Sequence, residues 1–133
     1  MRAGFTGSRR GMTGRQKQVV RDLLGGASEL HHGDCIGSDE QAHDIARNIG
    51  LSVVIHPPAD DSLRAWCDGD VILQPKNYLE RNKNIVNFTD FLIATPSEES
   101  GEQLRSGTWA TIRYARKFKK KIFVVRPSGL IEN

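Results

Sequence analysis

Long apolar runs are missing from this sequence. None approaches the ~18 residues a membrane-spanning helix requires, and no apolar signal segment follows Met1. That excludes a helical membrane protein and leads to the expectation of a cytoplasmic one. Cysteine is scarce: Cys35 and Cys67 are the only two, too few for a disulfide scaffold and in keeping with a reducing compartment. Excess charge of one sign is also lacking. With 19 Lys and Arg against 16 Asp and Glu, the net charge is +3, which tolerates an anionic ligand without demanding nucleic acid. Repeats, low-complexity tracts and linker-like shifts of composition are absent, so residues 1–133 read as one domain. What is present, 38% hydrophobic and 26% charged residues, is the make-up of an ordinary globular protein with an unaided core.

The local signals alternate. Residues 1–6 read as a short strand. Thr13 and Gln16 then have the spacing of a capping box, ahead of a stripe of Val19, Val20, Leu23 and Leu24 that Gly25-Gly26 ends. Residues 29–32 read as a second strand. Ser38 and Gln41 have the spacing of a second capping box, Asp39 and Glu40 suit a first helical turn, and Ala42, Ile45, Ala46 and Ile49 recur at helical period. Residues 51–55 are a buried-type strand broken by Pro57-Pro58, and residues 59–75 read as a loop with one turn near Leu63 to Trp66. Residues 78–86 are helical by period, 91–94 a strand, 108–119 a helix with Thr108 as N-cap, and 121–125 a last strand. Apolar rather than alternating strands between helices predict an α/β fold. The expected architecture is a three-layer Rossmann-like sandwich with a mostly parallel sheet of about five strands. Ligands of such folds sit beyond the carboxyl ends of the strands.

Four segments stand at those ends. Gly4-Phe5-Thr6-Gly7-Ser8-Arg9 offers close backbone approach, hydroxyl donors and a guanidinium for phosphate, without the spacing of a dinucleotide fingerprint or a Walker loop. Gly33-Asp34-Cys35-Ile36-Gly37-Ser38-Asp39 opens a helix whose amides near Gly37 and Ser38 suit an anion, unless Ser38 is spent on its own helix; Asp34 could hold a ribose or base. His31, His32 and Cys35 lack zinc-ligand spacing, and no metal is expected. Asn82 lies on a helix face with Tyr78, Ile85 and Val86, where its amide needs a partner, and Arg81 either reaches the same pocket or forms a surface ion pair. Arg105-Ser106-Gly107-Thr108-Trp109 opens the last helix, with Gly107 and Thr108 suited to a pocket and Trp109 to a stacked base or to the core. Lys117-Phe118-Lys119-Lys120-Lys121 lies at a helix end, where cations complement the dipole, and reads as a solvated face.

Taken in order, Gly4–Arg9, His32–Asp39, Arg81-Asn82 and Ser106–Arg116 resemble the SLOG superfamily, which includes the Lonely Guy enzymes and the core of the DNA-processing protein A family, and in particular its small stand-alone members from bacteria and phages. The resemblance implies a domain that binds a nucleotide or nucleotide-derived ligand between the Gly-rich loops, with no further cofactor, and that self-associates. Thr6, Gly7, Ser8, Gly33, Asp34, Gly37, Ser38, Ser106, Gly107 and Thr108 would cradle it, Arg9, Arg81 and Arg105 would neutralise charge, and Asn82 and Trp109 would complete the pocket. Lonely Guy phosphoribohydrolases carry Pro-Gly-Gly-x-Gly-Thr-x-x-Glu, and the position of that glutamate here is Thr111. Base release would therefore need a carboxylate from elsewhere, with Asp34, Asp39 and Glu98 as candidates. A sensor or sequestering protein is the first expectation, a nucleoside-monophosphate phosphoribohydrolase or other N-glycosidase the second, and a nucleic-acid-binding module the third. That last reading lacks a basic, aromatic surface.

Overall fold

Strand and helix alternate along the chain, as a computed structural model describing all 133 residues shows. The elements are β1 (Arg2–Gly7), α1 (Gly14–Leu24), β2 (Glu29–His32), α2 (Ser38–Asn48), β3 (Ser52–Ile55), β4 (Val71–Ile72), α3 (Tyr78–Asn87), β5 (Phe91–Thr95), α4 (Gly107–Lys117), β6 (Lys121–Val125) and β7 (Ile131–Glu132). One sheet runs β4-β3-β2-β1-β5-β6-β7. All its pairs are parallel except the last, β6 with β7.

Period-2 geometry sends alternate residues of each strand to opposite faces. On β5, Phe91 and Ile93 join Val20, Leu24, Ala42 and Ile45 of α1 and α2 in one core. Leu92 and Ala94 join Ile85, Val86, Ile112 and Ala115 of α3 and α4 in the other. A sheet apolar on both faces has to be covered on both, which is why the strands read as continuous apolar runs.

Two strands more than the expected five are present. β7 is a two-residue antiparallel addition at one edge. At the other edge β4 forms where the loop 59–75 returns, because Asp70 clamps β3: its amide donates to Val53 O at 2.9 Å and its Oδ2 accepts from Val53 N at 2.7 Å and from Arg47 Nη1 at 2.7 Å.

The capping box at Thr13 forms, with Gln16 N donating to Thr13 Oγ1 at 3.1 Å and Thr13 N to Gln16 Oε1 at 2.9 Å. The other two expected N-caps are corrected. Gly37, not Ser38, is the N-cap of α2 and supplies no side chain; Ser38 Oγ donates instead to Ser8 O at 2.6 Å, and Gln41 is drawn away to accept from Met12 N. Ser106, not Thr108, caps α4, its Oγ accepting from Trp109 N at 3.3 Å. At α2 long-range contacts outcompete the local bonds; at α4 the helix simply starts one residue before Thr108, with Ser106 in the capping position.

All four histidines are buried, in two hydrogen-bonded pairs. His31 Nδ1 lies 2.8 Å from His56 Nε2, with Glu29 closing that chain at 2.6 Å from His31 Nε2. His32 Nε2 lies 3.0 Å from His43 Nδ1. Burial holds all four below their ordinary value, His32 well below it and His56 at about 3. Between about pH 6.5 and those lowered values the unfolded chain binds more protons than the folded one, so acidification removes stability. Asp39, raised to about 6 by burial, works the other way, but it is one group against four. Thermal melts from pH 7.5 to 5 should therefore show a falling Tm at constant ionic strength, and a flat profile would mean the histidines are open to solvent.

Candidate functional site

The chain order runs outward from β1 through β2 and β3 to β4, then returns to β5 on the other side of β1. That reversal places a crevice at the carboxyl ends of β1 and β5. There Gly7 pairs with Thr95, and Ser8 N donates to Thr95 O at 3.1 Å. Gly7 is held to glycine by space, since a Cβ would run into Thr95 Oγ1 and come within 2.5 Å of Ser38 Cβ. Thr95 Oγ1 is the one buried side-chain polar atom without a hydrogen-bond partner. A cleft of about 710 Å³ opens at this point, a volume suited to a ligand of nucleotide size.

One end of the cleft is rich in donors. Thr6, Gly7, Ser8, Arg9 and Arg10 line it from the β1–α1 turn, and Ser97, Glu98, Ser106, Gly107 and Thr108 from the β5–α4 side. The two helix N-termini beside it differ. At α2 the first amide is already satisfied, because Ser38 N donates to Ser8 O at 3.1 Å. At α4 the Ser106 hydroxyl serves Trp109 N only, and Gly107 is exposed with nothing within 4 Å of where a Cβ would stand. The end of α4 is thus the one open to an anion.

The other end is built differently. Gly33, Cys35, Ile36 and Asp39 come from the β2–α2 loop, Leu63 from the long loop, and Tyr78, Arg81, Asn82 and Ile85 from α3. Arg81 is buried and locked: Nη1 donates to Gly33 O at 2.6 Å and His56 O at 3.3 Å, and Nε to Asn82 Oδ1 at 2.8 Å. The partner the Asn82 amide needed is therefore Arg81. Asp39 Oδ2 accepts from Cys35 N at 3.1 Å. Burial raises the Asp39 carboxyl to about 6, opposed chiefly by the positive charge of Arg81. For Glu98, partial burial pushes the carboxyl up, but hydrogen bonds from Trp109 and Ser97 outweigh it and hold the group below its ordinary value.

Five of the residues singled out in the sequence do not line this cleft. Asp34 is sealed, with Arg64 Nε donating to Oδ2 at 2.7 Å and Cys67 N to Oδ1 at 2.9 Å, so it secures the long loop rather than facing a ribose or base. Gly37 and Ser38 are occupied with the Ser8-Arg9 turn. Trp109 is fully buried in the core, donating from Nε1 to Glu98 Oε1 at 2.9 Å under the Arg126 guanidinium. Arg105 is exposed on the loop before α4. Conversely, Arg10, Ser97, Ile36, Leu63 and Tyr78 do line it. Arg10 and Ser97 stood beside recognised strand ends; Leu63 had no sequence signal, because its place depends on the ties from Asp34.

His32, His43 and Cys67 bring their ligating atoms within 4.8 Å of one another, a grouping that spacing did not reveal. The hydrogen bonds speak against a metal there. Asp34 N donates to His32 Nδ1 at 2.9 Å, so neutral His32 carries its proton on Nε2, the atom that would have to bind the ion, and donates it to His43.

No family model matches the chain, and no curated protein matches it. Solved structures do. The molybdenum cofactor binding protein of the phototrophic bacterium Rippkaea orientalis is 17% identical, with a TM-score of 0.72 over 94% of this chain and 76% of that one. The molybdenum cofactor carrier protein of Chlamydomonas reinhardtii is 18% identical, with a TM-score of 0.68 over 92% of this chain and 74% of that one. At such identities the likeness establishes the Rossmann-like fold. No helix is long and apolar enough to cross a membrane.

Proposed function

We propose that this chain is a SLOG-like protein that binds a nucleotide or nucleotide-derived small molecule in the cleft between β1 and β5, as a sensor or sequestering protein. The observation that carries the reading is the contrast between the two helix ends. The first amide of α2 is taken by the Ser8 carbonyl, while at α4 the exposed Gly107, with Thr108 behind it, lines the same cleft as Arg9 and Arg10. A phosphate bound there gains backbone N–H donors, the helix dipole and two guanidinium groups. The structural neighbours support it, since the Rippkaea protein binds a molybdenum cofactor and the Chlamydomonas protein carries one.

Catalysis is not part of the proposal. Thr111 is buried and does not line the cleft, and its hydroxyl, which cannot replace a carboxylate, donates back to Gly107 O at 2.9 Å. Asp39 and Glu98 are the two candidate acids that line the cleft, and Glu98 is already engaged by Trp109.

Gly107→Asp tests the site directly. A Cβ there meets nothing, and an acid in the first turn favours the helix, so the apo protein should melt at least as high as wild type. A nucleoside monophosphate at a hundredfold Kd should stabilise wild type by about 2.7 kcal/mol, roughly 10 °C in Tm. The variant should lose that shift, and neither protein should release free base from AMP. An unchanged shift in the variant would place the anion elsewhere, and multiple-turnover base release by wild type would make it an N-glycosidase.

A further inference from the structure

The cleft has two chemically different ends, and the end away from α4 contains a group that phosphate binding does not use. Asp39 stands in the first turn of α2, buried except toward the cleft that it lines. Its Oδ2 is fixed by Cys35 N at 3.1 Å, leaving one lone pair on that oxygen. The Gly33 backbone N–H also helps to hold the carboxylate in its charged form, but Oδ1 has no close donor in the chain and is not a buried atom lacking a partner, so it is open toward the cleft. The walls beside it are apolar or planar: Ile36, Leu63 and Ile85, with Tyr78 carrying the Arg81 guanidinium 5.3 Å from its ring centroid. Such walls suit a flat heterocycle, and a carboxylate at its edge selects two adjacent N–H donors.

Resting on the cleft as a nucleotide-type site, we propose that Asp39 reads the base. The preferred ligand then carries a 2-amino-4-oxopyrimidine edge, the ring N–H and exocyclic amine shared by guanine and the pterins, with its phosphate toward Gly107. Adenine places an acceptor where that edge has its ring N–H, and hypoxanthine lacks the amine. At neutral pH the carboxyl, raised only to about 6, is ionised and accepts from both donors. The Arg81 guanidinium, locked on the carbonyls of Gly33 and His56, supplies the compensating charge without occupying the edge.

Calorimetric titration of the wild-type protein with GMP, IMP, AMP and neopterin monophosphate is the first measurement. GMP or the pterin phosphate should bind at least tenfold more tightly than IMP, since losing a hydrogen bond to a charged group costs about that factor; which of the two binds better identifies the source of the edge. Asp39→Asn is the second. The amide still accepts from Cys35 N but now offers one donor and one acceptor, which matches xanthine, with a carbonyl at position 2, instead of guanine. The variant should lose GMP preference and gain XMP binding relative to wild type, a gain that simple loss of fold cannot produce. Equal affinity of wild type for GMP, IMP and AMP would overturn the role of Asp39 while leaving the cleft as the binding site. Binding of none of the four would overturn the cleft reading and this one with it. GMP preference that survives Asp39→Asn would assign recognition to another group and overturn the proposal.

Discussion

Asp34→Ala is expected to destabilise the protein by about 3–5 kcal/mol, the usual consequence of leaving one partner of a buried ion pair alone. Asp34 has no exposed surface, and its carboxylate is the anchor for two separate points of the long loop, Arg64 Nε and Cys67 N. The backbone adds to the effect. Asp34 has φ of 58°, a conformation that aspartate and asparagine tolerate better than alanine. Asp34→Asn should accordingly be milder, since it keeps an acceptor for Cys67 N and the backbone preference while halving the match to Arg64. Combining Asp34→Asn with Arg64→Met should recover part of the loss, because no buried charge then remains unpaired. Urea denaturation of the three variants decides it. A change below about 1 kcal/mol for Asp34→Ala would show that the loop is held by something else. Ligand affinity should fall along with stability, because Ile36 N donates to Leu63 O at 3.0 Å, and the same loop supplies that wall of the cleft.

Gly37→Ala should be comparably severe for a different reason. Gly37 has φ of 90° and ψ of −123°, a region open to glycine and closed to residues with a Cβ. That strain alone is worth about 1–3 kcal/mol. In addition, the new Cβ would overlap the Arg9 carbonyl oxygen and stand 2.6 Å from its carbon, both backbone atoms in the turn that closes on α2. Strain and collision together should exceed about 4 kcal/mol, in the range reserved for a few severe mechanisms. Gly50→Ala is the control. Its φ is 86°, but nothing lies within 4 Å of the added Cβ, so it carries the strain without the collision. Chemical denaturation should separate the two by about 1–3 kcal/mol, the collision alone, since the positive-φ strain is common to both. Equal losses would mean that the Ser8-Arg9 turn and α2 can move apart freely. The cleft would then have no rigid floor at β1.

The helices and most strands were legible in the sequence, because their determinants lie within a few residues of each other. The Thr13–Gln16 box, the apolar period of α2 and the continuous apolar runs of β3 and β5 are local patterns that tertiary contacts reinforced. From these follows the alternation that makes a parallel sheet, and with it the strand-end location of the cleft. Gly7, Arg9, Gly33 and Gly107 could be found this way, since each stands at or close to the end of an element.

Side-chain allegiance was another matter. Whether Ser38 capped its own helix or held the Ser8 carbonyl depended on an approach between residues thirty apart. The burial of Asp34 depended on Arg64 and Cys67, the locking of Arg81 on Gly33 and His56, and the place of Trp109 on Glu98 and Arg126. β4 exists because Asp70 meets Val53. In each case a polar group was released from water only where a distant partner satisfied it, and such pairings have no periodicity to read. The sequence by itself therefore determined the elements and the end of the sheet at which the cleft opens. The fold alone decided which polar groups are consumed in holding that end together and which, like Asp39 and the amides of Gly107 and Thr108, are left facing the cleft.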